Sequence, residues 1–144
     1  MKWARTLLAV NFVVLLPLAV WPLISPRGFY DEFPGGGFHW IDVNGPYNEH
    51  FIRDFGSLNA ALLVIVGCAV WKTSPSLVRA AGLALAVGAA PHAVYHLAHT
   101  DVYESSEKFI AVGPLVIQVF MGLAITMLPS LSSRDRIPAR DRRT

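Results

Sequence analysis

Four apolar stretches, each close to the roughly twenty residues that a helix needs to cross a bilayer, dominate this chain and constrain its fold more than any other feature. They run at about 4–24, 51–71, 77–99 and 108–129. Of the 144 residues 53% are apolar and only 15% charged, and mean hydropathy is +0.45; a soluble domain carries about 25% charged residues. The expectation is an all-α bundle of four transmembrane helices occupying 1–129, with no room for a soluble catalytic appendage. The Ser- and Arg-rich segment 130–144 lacks apolar periodicity and reads as a disordered basic tail.

Orientation follows from the basic residues, because short loops rich in Lys and Arg stay cytoplasmic. Lys2 and Arg5 precede the first stretch, Lys72 and Arg79 flank the second connection, and Arg134, Arg136, Arg140, Arg142 and Arg143 fill the tail. The other connections are acidic: Asp31, Glu32, Asp42 and Glu49 face only Arg27, and Asp101, Glu104 and Glu107 face only Lys108. A multi-pass protein of the cell membrane with both termini cytoplasmic is expected. A basic start followed by an apolar run is also the form of a secretory signal. Pro17 and Pro22 interrupt the run and no small-x-small cleavage site follows, which favours a retained, kinked first helix.

The first connection, Ser25 to Asn48, alternates turn formers with rings. Pro26, Gly28, Pro34, Gly35, Gly36, Gly37, Gly45 and Pro46 lie among Phe29, Tyr30, Phe33, Phe38, Trp40 and Tyr47. Such a segment is either a cap over the outer mouth of the bundle or an interfacial aromatic belt. His39 within it either reaches a site at that mouth or faces water.

Chemistry concentrates at one end of two helices. His92, His96 and His99 recur at helical spacing near the end of the third stretch, and Glu49, His50 and Asp54 open the second. In antiparallel helices these sets come to one depth, and ionisable groups within a membrane are costly enough to suggest function. Imidazole and carboxylate suit Zn, Fe, Cu or Mn, and the i, i+4 pair His92 and His96 can share one ion. The expected metal ligands are His50, His92, His96 and His99, with Glu49 and Asp54 as catalytic acid/base groups. A divalent transition metal is preferred. Haem between His50 and His92 or His96 is a lesser version, needing the space that Gly88, Ala89, Ala90, Gly56, Ala60 and Ala61 would open.

Structural readings compete. Arg53 and Asp54 can form a charge pair fixing helix register, and His50 and His99 can be ordinary surface residues. Asn11, Asn59 and Gln118 suit hydrogen bonds between helices. Cys68 is the only cysteine, which removes disulfide and Cys-x-x-Cys chemistry. Gly35 to Gly37 lack the strand and helix of a nucleotide loop, and Ser57 lacks the glycines of a hydrolase elbow. Net charge is only +2, and no nucleic-acid recognition fold is visible.

The stretch Ser25 to Gly56, with SPRGFYDEFPGGG and GPYNEHFIRDFG, followed by PHAVYH at 91–96, resembles small four-helix membrane proteins of bacteria, often actinobacterial. The resemblance implies the bundle and brings no activity, cofactor or catalytic residue with it. Two functions therefore stand as expectations. One is an outward-facing metal or haem site serving redox or lipid/quinone chemistry on a lipophilic small molecule. The other is a non-enzymatic subunit or assembly partner of other membrane proteins, whose polar cluster is structural. Whether the protein is an enzyme is left open by the sequence.

Overall fold

A computed structural model describes residues 1–134, with side chains through Pro129. Four long helices dominate: α1 (Lys2–Ile24), α3 (Glu49–Trp71), α4 (Pro75–Ala98) and α5 (Lys108–Arg134). All four are long and apolar enough to cross a membrane. Their ends carry ordinary helix signals. Pro75 stands at the start of α4, where a missing N–H costs nothing. Asn48 caps α3, its side-chain oxygen accepting the Phe51 N–H at 3.2 Å. α5 runs on to Arg134, past the expected end near 129, and residues 135–144 of the expected tail lie outside the described residues.

The first connection holds more structure than its turn residues suggest. A short helix, α2 (Pro26–Glu32), follows Ser25, and Pro34–Gly35 (β1) pairs antiparallel with Phe38–His39 (β2). The fold is thus mostly helical with one small hairpin rather than purely α. Gly36 and Gly37 turn the hairpin at φ of +71° and +87°, values that a side chain would oppose. A 3₁₀ turn, Asp42–Asn44, then leads to α3.

The rings of this segment pack on the bundle. Phe29 is buried, lies edge-on to Trp21 at 5.7 Å, and stacks on Phe55 of α3 at 5.8 Å. Phe33 meets Phe29 at 4.8 Å and Trp40 at 6.3 Å. The aromatics therefore join the loop to the ends of α1 and α3.

The long helices associate as two antiparallel pairs. In the first, Gly56 of α3 lies against Pro22 and Leu23 of α1, and Gly67 lies against Phe12. In the second, Gly82 of α4 meets the backbone of Gly122 and Thr126 of α5. Small residues permit this approach where lipid supplies no hydrophobic drive between helices. One core joins the pairs: Ala4, Leu8 and Leu15 of α1, Val66 and Ala69 of α3, Val78, Ala81 and Leu85 of α4, and Ile125 of α5. It runs from the end bearing the chain termini to about mid-bundle. α1 is thereby an integral part of the core.

Asn11, 1% exposed, is the buried polar residue of this interior. It accepts a hydrogen bond from Gln118 Nε2 at 2.6 Å and donates to the Leu7 carbonyl at 2.8 Å. This is the bond between helices expected of intramembrane amides, worth about 0.6 kcal/mol. Large apolar side chains meanwhile point outward, among them Val13 at 68%, Leu58 at 73%, Val64 at 65% and Phe120 at 66% exposure. Apolar exposure on that scale is what lipid-facing helices carry.

The α4–α5 contact yields a paired test. A Cβ added to Gly122 would stand 2.6 Å from the Ala86 nitrogen, whereas one added to Gly88 would meet nothing within 4 Å. Gly122→Ala is expected to cost about 1–3 kcal/mol by overpacking. Gly88→Ala is expected to be neutral or to gain up to about 1 kcal/mol from helix propensity. Thermal unfolding in detergent checks the order, and a Gly122 variant as stable as the native chain would overturn this account of the packing.

Candidate functional site

The last two turns of α4 carry the site. Residues seven apart fall within about 20° on a helix, so His92 continues the line of Val78 and Leu85, and His96 lies one turn beyond. Val78 and Leu85 are buried in the core, but the same line is uncovered at Gly88 and His92, and His96 is half-buried. The uncovered part begins where the core ends.

On this line the His92 and His96 Nε2 atoms approach to 2.9 Å. Tyr103 completes the arrangement. The 3₁₀ turn Thr100–Val102 reverses the chain after α4 and returns the Tyr103 hydroxyl to 2.9 Å from His96 Nδ1. Tyr103 is 7% exposed, and the Asn44 amide donates to its oxygen at 3.3 Å while also donating to the Trp40 carbonyl at 2.7 Å. A hydrogen-bonded line thus runs from the first connection through Asn44, Tyr103 and His96 to His92.

Burial pushes the Tyr103 phenol above the ordinary tyrosine range, and the weaker opposing influence is its bond from Asn44. The phenol therefore remains a donor through neutral pH. With Tyr103 donating to His96 Nδ1, the His96 proton sits on Nε2 and is donated to His92 Nε2. A neutral His92 then carries its own proton on Nδ1. The opposite tautomer, with His96 Nδ1–H donating to the Tyr103 oxygen and His92 Nε2–H donating to His96 Nε2, satisfies the same two contacts.

The remaining expected site residues go elsewhere. His99 caps α4, with Nδ1 at 2.8 Å from the Tyr95 carbonyl and its ring stacked on Tyr95 at 4.3 Å. Glu49 takes Arg53 Nε at 2.8 Å, and Arg53 Nη1 donates to the Leu23 carbonyl of α1 at 2.7 Å. His50 Nε2 lies 3.2 Å from Asp54, with side-chain exposures of 87% and 57%. The expected charge pair of Arg53 with Asp54 is replaced by Arg53 with Glu49. His39 in the loop is exposed, with Nδ1 at 2.7 Å from the Asp31 carbonyl and 3.4 Å from Asp42.

The structure therefore brings His92 and His96 together, turns His99 to the Tyr95 carbonyl, and engages Glu49 with Arg53 and His50 with Asp54. Among the described residues no group of three or more His, Cys, Asp and Glu side chains is gathered to hold a metal ion. The reason lies in the pairing: α3 packs along α1, so its polar stripe of His50, Arg53, Asp54 and Ser57 stays exposed. Convergence of the two sets would need α3 and α4 to face each other at that end. Sequence reasoning misses Tyr103 and Asn44 as site residues. Their only signal there is a tyrosine shortly after the histidines and an asparagine in a turn.

Comparison with protein families, with curated proteins and with solved structures returns no match to this chain.

In a spectrophotometric pH titration, the tyrosinate signal missing from Tyr103→Phe is expected above pH 10, the ordinary value. Its appearance at or below that pH would mean that the phenol is not a buried donor.

Proposed function

We propose that this is a multi-pass membrane protein, with both termini cytoplasmic and the aromatic loop outside, whose outward-facing His92–His96 pair binds a divalent transition metal. The orientation is supported by Lys2, Arg5, Lys72 and Arg79 at one end of the bundle and the acidic connections at the other. One observation carries the site reading: two Nε2 atoms converge at 2.9 Å while Nδ1 of His96 is held by the Tyr103 hydroxyl. A metal-ligating histidine donates its other ring N–H to an orienting oxygen, so an ion at Nε2 would require the His96 proton to sit on Nδ1 and be donated to the Tyr103 oxygen.

Two imidazoles are fewer than the three protein ligands of a typical catalytic zinc site. A bound ion would therefore have positions open to water or a substrate. The uncovered line at Gly88 and His92 lies about 9 Å or more below the end of α4, at a depth reached from the outer leaflet. The ligand class that fits is a lipophilic molecule with a polar head, of lipid or quinone type, whose oxygen the metal would polarise. Glu49 and Asp54, held by Arg53 and His50, are not assigned the acid/base role in this reading.

A second reading rests on α3. His50, Arg53, Asp54 and Ser57 form an exposed polar stripe on a membrane helix, which another subunit would cover more favourably than lipid does. The protein would then be an assembly partner in a larger membrane complex.

Elemental analysis and an optical spectrum on protein purified in mild detergent separate the two. The first reading expects about one metal per chain in the native protein, lost in a folded His92→Ala/His96→Ala variant. It also expects Tyr103→Phe to weaken metal binding about 10- to 100-fold, as loss of an orienting partner does. Protein without metal after metal-replete expression would sink the first reading and leave the second.

A further inference from the structure

α3 turns its most polar side away from the bundle. Its buried residues, Ile52, Gly56, Val66 and Ala69, pack inward, and the opposite side carries His50, Asp54, Ser57, Ala61, Val64 and Cys68, all exposed. We propose that this side is the interface with a second copy of the chain, the two α3 helices packing in parallel about a two-fold axis along the membrane normal. The inference rests on the second reading above, that another subunit covers α3, and names that subunit.

Three observations carry it. The six residues follow one another at alternate spacings of four and three, the repeat that keeps one seam facing a partner helix along its whole length. Apart from Val64 they are small or polar, whereas the outward side chains of α1 and α5 are large and apolar, such as Val13 at 68%, Phe120 at 66% and Met127 at 61% exposure. Small residues let membrane helices approach closely, and polar ones find partners across the contact. Lipid hydrocarbon rewards neither, and it penalises His50 and Asp54 wherever it reaches them.

The third observation is charge. At the outer end of the seam acid and base stand side by side: His50 Nε2 lies 3.2 Å from Asp54, and next to them Arg53 Nε lies 2.8 Å from Glu49. A uniformly acidic or basic partner would set like against like at half of these groups. A second copy does not. All copies share one orientation in the membrane, so a two-fold contact presents the same patch from both sides. His50 of either copy then meets Asp54 of the other, one turn along the seam. The mixed patch is complementary to itself.

The natural Cys68 supplies the test. The full chain in native membranes, treated with copper phenanthroline, is expected to give a disulfide-linked species of doubled mass that Cys68→Ser lacks. In the Cys68→Ser chain, Val64→Cys is expected to restore the link. Val14→Cys, an exposed valine at similar depth on α1, is not. Ser57→Leu/Ala61→Leu replaces residues exposed in the single chain, so thermal unfolding is expected to be unchanged while the Cys68 link is lost. His50→Asp and Asp54→His are each expected to lose most of the link alone and to regain it when the two chains are co-expressed. A link that persists in the Leu variant, or that forms as readily from Val14→Cys as from Val64→Cys, overturns the seam. Charge variants that each link as the native chain does overturn the complementarity that selects a second copy. If Cys68 and Val64→Cys link only to a different membrane protein, the second copy is overturned and a covering subunit stands. If they link to nothing, with a bifunctional maleimide as with the oxidant, the covered-stripe reading fails and this inference with it.

Discussion

The contact of Gly82 with Gly122 governs what the rest of α4 can do. With no side chain on either residue, backbone meets backbone, and a Cβ on Gly82 would lie 2.7 Å from the Thr126 nitrogen. Such an approach fixes both the spacing and the rotation of α4 on α5. Ala86, Ala89 and Ala93 then continue the buried face along α5. The neighbouring line, through Val78, Ala81 and Leu85, falls into the common core. Continued upward, that line becomes Gly88, His92 and His96, so a pair of glycines deep in the bundle decides where two imidazoles are presented.

At the other end, the first connection is tied down twice. Rings hold it to α1 and α3, through Phe29 against Trp21 and Phe55. An amide holds it to the α4–α5 side, through Asn44 on the Tyr103 hydroxyl at 3.3 Å. Because Tyr103 also orients His96, the position of the loop and the protonation pattern of the imidazoles are one structural problem. Hydrogen bonds within a membrane gain little over their alternatives in any one pair. Their value here is directional, since they set how the His96 ring is turned toward His92.

Much of this is legible in the sequence, for reasons that can be named. A bilayer demands long apolar helices, and hydropathy places α1, α3 and α4 to within two residues at each end. The spacing of His92 and His96 also shows that their rings share a face. Which helix that face meets is a matter of packing partners, and an apolar helix is nearly as apolar all round. Assuming that α3 and α4 face each other brings Glu49, His50 and Asp54 to the histidines; the glycines at 56, 67, 82 and 122 decide otherwise by pairing α3 with α1 and α4 with α5. α2 is hidden for a different reason. Its Ser25 and Pro26 form a helix start, but the many glycines and prolines after it speak for turns, and only the docking of Phe29 on Trp21 and Phe55 settles the competition.

The division into two pairs bears on how such a chain enters a bilayer. Each pair is a helical hairpin whose closest contacts lie within itself. Translation delivers α1 and α3 first, already joined by the loop that packs on them. The short link from Lys72 to Ser74 then delivers α4 and α5 beside them. Docking of the second hairpin is recognised at Asn11, whose side-chain oxygen stays unmatched in lipid until Gln118 arrives from α5. The Asn11–Gln118 bond thus ties one hairpin to the other across the common core.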